Sequence, residues 1–320
     1  MRIVSLLPAA TEIVGALGLM GSLVGVSHEC DFPPEANRKP RVTHCPLHEE
    51  QQRRVVPGEE VDRWVREALA STGTLYTLDE PLLRELRPDI ILTQKLCDVC
   101  AVGYGSVAKL AAGLPGAPRL VNLEPVSLND ILGNVRLVAE VAGVPQRGEA
   151  MVRGLRARVE AVSRRAATVR HRPRCYLMEW VDPPFCAGHW NPELVELAGG
   201  VEVFGRAGQR SERVAWRQVL EARPEVLVLA LCGWSVERAR CELPTLQSCP
   251  GWDELPAVRR GEVYATDGSA YFSRPGPRVV ESLELLAGIL HPGLFPEFAP
   301  AAWQPGQLAR LEAATASHSG

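Results

Sequence analysis

The chain has 320 residues, of which 46% are hydrophobic and 23% are charged, and its net charge is −3. This length is enough for two domains with separate cores. A charge so close to zero excludes a strong overall field for nucleic acid, and no uninterrupted apolar run approaches the length of a membrane span. We therefore expect a globular protein with no nucleic-acid partner.

Residues 1–143 predict an α/β lobe in which short apolar strands alternate with helices. The predicted strands are Arg2–Leu7, Leu23–Val26, Leu75–Leu78, Pro88–Gln94 and Arg119–Leu123. The predicted helices are Thr11–Leu17, Glu59–Ala70, Pro81–Leu86 and one from Ser127 to Ala142. Thr11 is expected to cap the first of these helices, because its hydroxyl can accept a backbone N–H there.

Reactive side chains follow two of these strands. The segment Ser27–Pro34 contains a histidine, a glutamate and a cysteine, and ligands in open α/β sheets bind at the carboxyl ends of strands. Further along, His44, Cys45 and His48 are expected to lie in a loop. They are discounted as metal ligands, because scattered loop residues rarely assemble into a site.

A second reactive loop follows Gln94 and contains Cys97 and Cys100. Two cysteines at this spacing fit a redox pair or half of a zinc site. They also fit small, half-buried residues in a pocket wall. The spacing alone leaves these three interpretations open.

The segment Pro145–Thr168 predicts one long helix with an apolar side and an arginine-rich side. The apolar residues are Val152, Leu155, Val159 and Val162, spaced three, four and three apart. The opposite side is interpreted as a solvated helix face. At about 35 Å the helix can cross a whole domain, so residues 144–170 are predicted to bridge two lobes.

Residues 171–295 predict a second α/β lobe, followed by a loosely ordered tail at 296–320. The predicted strands are Arg174–Trp180, Val226–Leu231 and Glu262–Thr266, and the predicted helices are Asn191–Leu197, Ala215–Glu221 and Arg278–Leu290. Aromatic residues crowd the loops after these strands, above all between Trp180 and Trp190. Aromatic side chains on proline-stiffened loops favour a wall for a flat ligand.

If the bridging helix sets the lobes face to face, these loops line one ligand cleft. The cleft would be aromatic and sulfur-rich with few charges, which suits a large, flat, mostly uncharged ligand that carries a metal. The predicted ligand-binding residues are Pro8, His28, Glu29, Cys30, Gln94, Cys97, Cys100, Trp180, His189, Trp190, Trp234, Tyr271, Phe272 and Arg274. The predicted metal ligands are His28, Cys30, Cys97, Cys100 and His189.

Several segments resemble the class III substrate-binding proteins of bacterial ABC importers. Ile3–Glu12 and Leu23–Val26 resemble the start of the cobalamin-binding branch. Ser27–Asp31, Gln94–Cys100 and Gly188–Trp190, with Phe272–Gly276, resemble a subgroup described as cobalamin-binding. The resemblance implies two Rossmann-like lobes joined by a long helix and a corrinoid ligand such as cobalamin. It also implies no catalysis, a monomer and delivery to an ABC importer permease if the chain is exported.

Two alternatives stay open on the same fold. One is a haem or iron–siderophore binding protein, although Lys95 and Arg274 offer little charge for an anionic siderophore. The other is a cytoplasmic metalloprotein that holds zinc or iron through cysteine and histidine. A cytoplasmic location is expected because Met1–Pro8 enters a strand directly, without a signal-peptide core. If the true start lies upstream, the location is periplasmic or at the cell surface.

Overall fold

The computed structural model describes residues 1–53, 56–72, 75–95 and 104–311. The chain folds into two compact units. The first comprises residues 1–125, 129–155 and 275–277, and the second comprises residues 126–128, 156–274 and 278–320. The predicted domain limits, and the predicted cleft, stay predictions.

The first unit is built on a parallel sheet with helices between its strands. Its strands are β1 (Ile3–Ser5), β2 (Leu23–Val26), β3 (Thr43–His44), β4 (Thr77–Leu78), β5 (Ile90–Thr93) and β6 (Arg119–Asn122). Its helices are α1 (Pro8–Ala16), α2 (Pro46–Arg53), α3 (Gly58–Thr72), α4 (Glu80–Leu86), α5 (Tyr104–Ala112) and α6 (Leu128–Val141), and a short 3-10 helix covers Pro34–Arg38. The main sheet has the order β2-β1-β5-β6, while β3 and β4 form a separate antiparallel pair.

Helix α7 (Pro145–Ala166) starts in the first unit and ends in the second. The apolar pattern predicted its face correctly, because Val152, Leu155 and Val162 are buried whereas Arg153 and Arg156 are exposed. Within the second unit its arginines also form ion pairs. The guanidinium of Arg158, for example, donates two hydrogen bonds of 2.9 and 2.7 Å to the carboxylate of Glu284.

The second unit contains a mixed sheet with a parallel centre. Its strands are β7 (Arg174–Trp180), β8 (Phe185–Cys186), β9 (Val201–Glu202), β10 (Val226–Leu229), β11 (Val263–Thr266) and β12 (Leu308–Arg310). Its helices are α8 (Asn191–Leu197), α9 (Trp216–Ala222), α10 (Val236–Arg240), α11 (Leu243–Gln247), α12 (Pro256–Arg259) and α13 (Val279–Leu290). Strands β11, β10 and β7 run parallel, and β12 and β8 pair antiparallel at either side.

The start of the first helix differs from its prediction. Helix α1 begins at Pro8, not Thr11, and the residue before it, Leu7, makes no side-chain cap. Proline fits the first helical turn because its missing N–H would have no partner there. The Thr11 hydroxyl instead lies 2.9 Å from Ser5 Oγ and 3.1 Å from Cys30 Sγ, inside the unit.

Residues 296–311 contain regular structure, which differs from the loosely ordered tail expected from the sequence. Two short 3-10 helices cover Pro296–Phe298 and Pro300–Ala302, and β12 then pairs with β11. This segment contains Pro296, Pro300 and Pro305, so its sequence does not indicate backbone pairing with a distant strand. None of the helices within the described residues is both long and apolar enough to span a membrane.

We expect Gly288→Ala to destabilise the protein by more than about 2 kcal/mol. A Cβ at position 288 of α13 would overlap the backbone carbonyl of Phe298, so the helix and the segment after it would have to separate. The matched control is Gly154→Ala in α7, where nothing lies within 4 Å of the added atom. The free energy of unfolding of this control should rise by about 0.5–1 kcal/mol. Urea unfolding measures both values, and equal stabilities of the two variants would contradict the tail packing.

Candidate functional site

The candidate residues of the first unit lie at one edge of its sheet. Strands β2, β1 and β5 are parallel neighbours, so their carboxyl ends lie side by side. Pro8 follows β1, His28 follows β2, and Gln94 follows β5 directly. The structure therefore places these predicted residues after strand ends that adjoin one another.

His28 is held in a fixed orientation and is largely buried. Thr43 Oγ1 accepts the backbone N–H of His28 at 2.9 Å and lies 2.7 Å from its Nδ1. The other ring nitrogen, Nε2, is buried and has no hydrogen-bond partner. Burial, and then the neighbouring His48, His44 and Arg41, lower the pKa of His28 to about 3. The ring is therefore neutral at physiological pH.

The structure brings His48 to His28, although the two are far apart in sequence. Residues 46–53 form helix α2 instead of the predicted loop. The two imidazole centroids lie 5.1 Å apart in an edge-on arrangement, and the ring of Tyr76 lies 5.3 Å from His28. Burial, and then Arg41, lower the pKa of His48 as well. His48 was discounted as a scattered loop residue, because the sequence of residues 46–53 shows no apolar helix face that would have indicated α2.

His28, Glu29 and His48 form a group that could hold a metal ion. Their donor atoms all lie within 4.8 Å of one another, and each residue is partly exposed. Glu29 Oε1 lies 4.0 Å from His28 Nε2. Two imidazoles and a carboxylate are ligands that divalent transition metals accept.

Cys30 lies in a different place from the one expected of a metal ligand. Its side chain is fully buried, and its Sγ lies 3.1 Å from both Ser27 Oγ and Thr11 Oγ1. This arrangement packs the thiol under the loop, where it supports His28 and Glu29 from the inside. Cys97 and Cys100 lie outside the described residues, so their proposed roles stay predictions.

In the second unit, two tryptophans meet at the carboxyl edge of the sheet. Trp180 ends β7 and Trp234 follows β10, and these strands are parallel neighbours. Their ring centroids are 4.7 Å apart. The guanidinium of Arg238 lies 3.8 Å over the Trp234 ring, and the Trp180 indole N–H donates to the carbonyl of Asp182 at 3.1 Å. Among the predicted aromatic ligand-binding residues, Trp180 is the one that remains partly exposed.

His189 is held by a tightly packed loop. Its backbone has a φ of +56°, a left-handed conformation that is uncommon for a residue other than glycine. The preceding Gly188 fits because a Cβ there would overlap the backbone of residues 209–211. Ser211 and the backbone N–H of Gly188 both donate to Glu179, the serine at 2.6 Å. Burial raises the pKa of that carboxyl group.

The side chain of His189 combines partial exposure with an unsatisfied nitrogen. Its Nε2 is buried without a hydrogen-bond partner, and burial followed by Arg210 lowers its pKa. A neutral imidazole with an available nitrogen can ligate a metal or accept a hydrogen bond from a ligand. Backbone strain of this kind clusters at functional sites.

The other predicted residues of this unit are more deeply buried. Trp190, Trp234, Tyr271 and Phe272 are each no more than 5% exposed, and Arg274 is 6% exposed. Asn191 donates to the backbone carbonyl of Phe272 at 3.2 Å, and Gln307 donates to the Tyr271 hydroxyl at 2.7 Å. Arg274 donates to Ser269 Oγ at 3.1 Å. These contacts support the loops, and Gln307 is a contributor from the tail that sequence analysis missed.

We expect His189→Asn to reduce the acid sensitivity of the protein. Because the pKa of His189 is lowered in the folded state, the unfolded chain binds this proton more readily. Stability is therefore lost as the pH falls below about 6.5. Asparagine tolerates the left-handed backbone, so the variant should fold and lose less stability than the parent between about pH 7.5 and about pH 5. Urea unfolding at both pH values measures the two stabilities. If the parent and the variant lose the same free energy of unfolding, the predicted role of His189 is contradicted.

Comparison with curated proteins finds relatives along most of the chain. The "Vitamin B12-binding protein" of Vibrio cholerae serotype O1 is 24% identical over 297 residues, which cover 88% of this chain and 86% of the relative. An uncharacterized ABC transporter substrate-binding lipoprotein of Bacillus subtilis is 20% identical over 298 residues, which cover 92% of this chain and 82% of the relative.

Solved structures share the fold. The periplasmic heme-binding protein of Roseiflexus sp. RS-1 in apo form has a TM-score of 0.68 at 23% identity, covering 92% of this chain and 98% of the other. The periplasmic vitamin B12 binding protein of Vibrio cholerae has a TM-score of 0.64 at 23% identity, covering 90% and 96%. These similarities confirm the predicted two-lobe α/β fold.

The expectation of a cytoplasmic location is wrong. One relative is named as a substrate-binding lipoprotein, a class of protein that lies outside the cytoplasm, and this finding contradicts the expectation. The family model described as "Periplasmic binding protein" matches residues 3–270, which confirms the resemblance drawn from the sequence. The chain belongs to this family of periplasmic binding proteins.

Proposed function

We propose that this chain binds cobalamin or a related corrinoid, without catalysis, and passes it as a monomer to the permease of an ABC importer. The observation that carries the proposal is the partly exposed Trp180 packed against Trp234 at the carboxyl edge of the second unit's sheet. A rigid indole face of this kind suits a large, flat, mostly uncharged ligand.

The relatives support a corrinoid over other ligands. Several Vibrio proteins that are 24% identical across 88% of this chain carry the name "Vitamin B12-binding protein". Of the two cationic residues weighed for an anionic siderophore, Arg274 is buried and donates to Ser269. Lys95 is exposed on the first unit and is a poor substitute for a cluster of arginines.

Haem is the second candidate. The buried, unpartnered Nε2 of His189 is the atom that would ligate haem iron, and it could equally approach the cobalt of a corrinoid. The haem-binding structural neighbours are evidence for the fold alone, since their identity to this chain is low. Absorption spectra separate the two ligands, because haem and corrinoid bands differ.

We expect Trp180→Ala to weaken binding of hydroxocobalamin by about tenfold or more, because the ligand would lose an aromatic face. Quenching of tryptophan fluorescence during a titration measures the affinity. The matched control is Trp216→Ala, another partly buried tryptophan of the same unit, whose ring contacts Trp252. This control should bind as tightly as the parent.

Two results would contradict the proposal. The parent protein is titrated with hydroxocobalamin and, in a separate sample, with hemin, and saturation by hemin alone would favour haem. If Trp180→Ala and Trp216→Ala lose the same affinity for hydroxocobalamin, Trp180 does not contact the ligand.

A further inference from the structure

The group formed by His28, Glu29 and His48 shows features of a metal site beyond the mere proximity of its members. Their donor atoms lie within 4.8 Å of one another. Only 11% of the His28 side chain is exposed, and its Nε2 is buried without a hydrogen-bond partner. A nitrogen in such a place loses hydrogen bonds to water and gains none from the protein, which is costly unless a ligand supplies the missing interaction.

Thr43 orients the imidazole in the way that metal sites require. Its hydroxyl oxygen accepts the backbone N–H of His28 and lies 2.7 Å from Nδ1. When Nδ1 carries the proton and donates to this oxygen, Nε2 presents its lone pair toward Glu29 and His48. Ligating histidines in proteins are commonly fixed by a hydrogen bond from the second nitrogen.

We propose that His28, Glu29 and His48 bind a divalent transition-metal ion, with zinc as the best match, and leave a fourth position open. Tetrahedral zinc with bonds of about 2.0–2.1 Å holds its ligand atoms about 3.4 Å apart. Glu29 Oε1 lies 4.0 Å from His28 Nε2, and the Glu29 side chain is 36% exposed. Metal binding therefore requires the donor atoms, now within 4.8 Å of one another, to move closer together, and the partly exposed Glu29 and His48 side chains are the ones that would move.

The charged groups around the site are compatible with a cation. Asp31 and Glu49 act on His48 as negative charges, which favours a metal. Arg41 opposes them, but its guanidinium donates to the backbone carbonyls of Ser27 and Cys30. Arg41 therefore holds the loop that presents His28 and Glu29. The ligand set of two neutral imidazoles and one carboxylate leaves bound zinc with one positive charge, which suits water or an anionic group at the fourth position.

The test is calorimetric titration of Zn²⁺ into the full-length, metal-free protein in which Cys97 and Cys100 are replaced by serine. This background removes the thiols that could bind zinc independently. We expect one Zn²⁺ per chain, and at least tenfold weaker binding in each of His28→Gln, Glu29→Gln and His48→Gln. The matched control is His44→Gln, an exposed histidine close to the group, which should bind as the background does.

A second readout does not depend on the folding of a variant. Co²⁺ added to the background protein should give the intense visible absorption of a four-coordinate site, and Zn²⁺ should displace it. Absence of stoichiometric Zn²⁺ binding would overturn the proposal, as would unchanged binding by His48→Gln. An equal loss of binding in His44→Gln would overturn the assignment of the ligands.

The metal site stands apart from the proposed corrinoid function. Zn²⁺ is titrated without a corrinoid, and hydroxocobalamin is titrated in the presence of a chelator. Zinc binding without corrinoid binding would therefore support the metal site and reject the proposed function. Corrinoid binding without zinc binding would reject the metal site and leave the proposed function intact.

Discussion

The parallel pairing of short, buried strands is the constraint on which both candidate surfaces depend. In each unit, strands from distant parts of the chain end at the same edge of a sheet, so the loops that follow them meet there. His28 and Gln94 are brought to one edge by β2 and β5, with β1 between them. Trp180 and Trp234 are brought together by β7 and β10. The sheets thus supply proximity that the loops alone could not.

Burial without hydrogen bonding gives the loop histidines their chemistry. His28 and His189 each have a buried Nε2 without a partner, and burial lowers the pKa of both. Each ring is therefore neutral and keeps a lone pair, the state in which imidazole binds metals. The first unit adds a second imidazole and a carboxylate, whereas the second adds aromatic rings. The two units are equipped for different interactions with the same residue type.

The sequence predicted most of the fold, because the central strands are continuous apolar runs and helix α7 has a clear apolar stripe. Elements whose structure depends on contacts with distant parts of the chain were not predicted. Strand β12 pairs with β11, which lies far back in the chain, and its own sequence is too short to indicate a strand. Helix α2 has no apolar face, so His48 was assigned to a loop and discounted.

The candidate sites were predicted less completely than the fold. His28, Trp180 and His189 were chosen because they follow strands, and the structure shows each of them partly exposed. Their roles in binding stay predictions, and their degree of burial could not be read from residue type. The thiol of Cys30 is a side chain that can ligate a metal, which is why it was predicted as a ligand. In the structure it is buried within the first unit, where the hydroxyls of Thr11 and Ser27 lie next to its sulfur. The left-handed backbone conformation of His189 could not be predicted from the sequence, because glycine is the residue that usually adopts it.

Corrinoid binding is best tested by calorimetric titration of hydroxocobalamin into the metal-free parent protein, with absorption spectra of the mixture. We expect saturation at one ligand per chain. The corrinoid spectrum should shift if His189 reaches the cobalt and stay unshifted if only the aromatic surface is used. The absence of saturable heat and of any spectral change would contradict corrinoid binding.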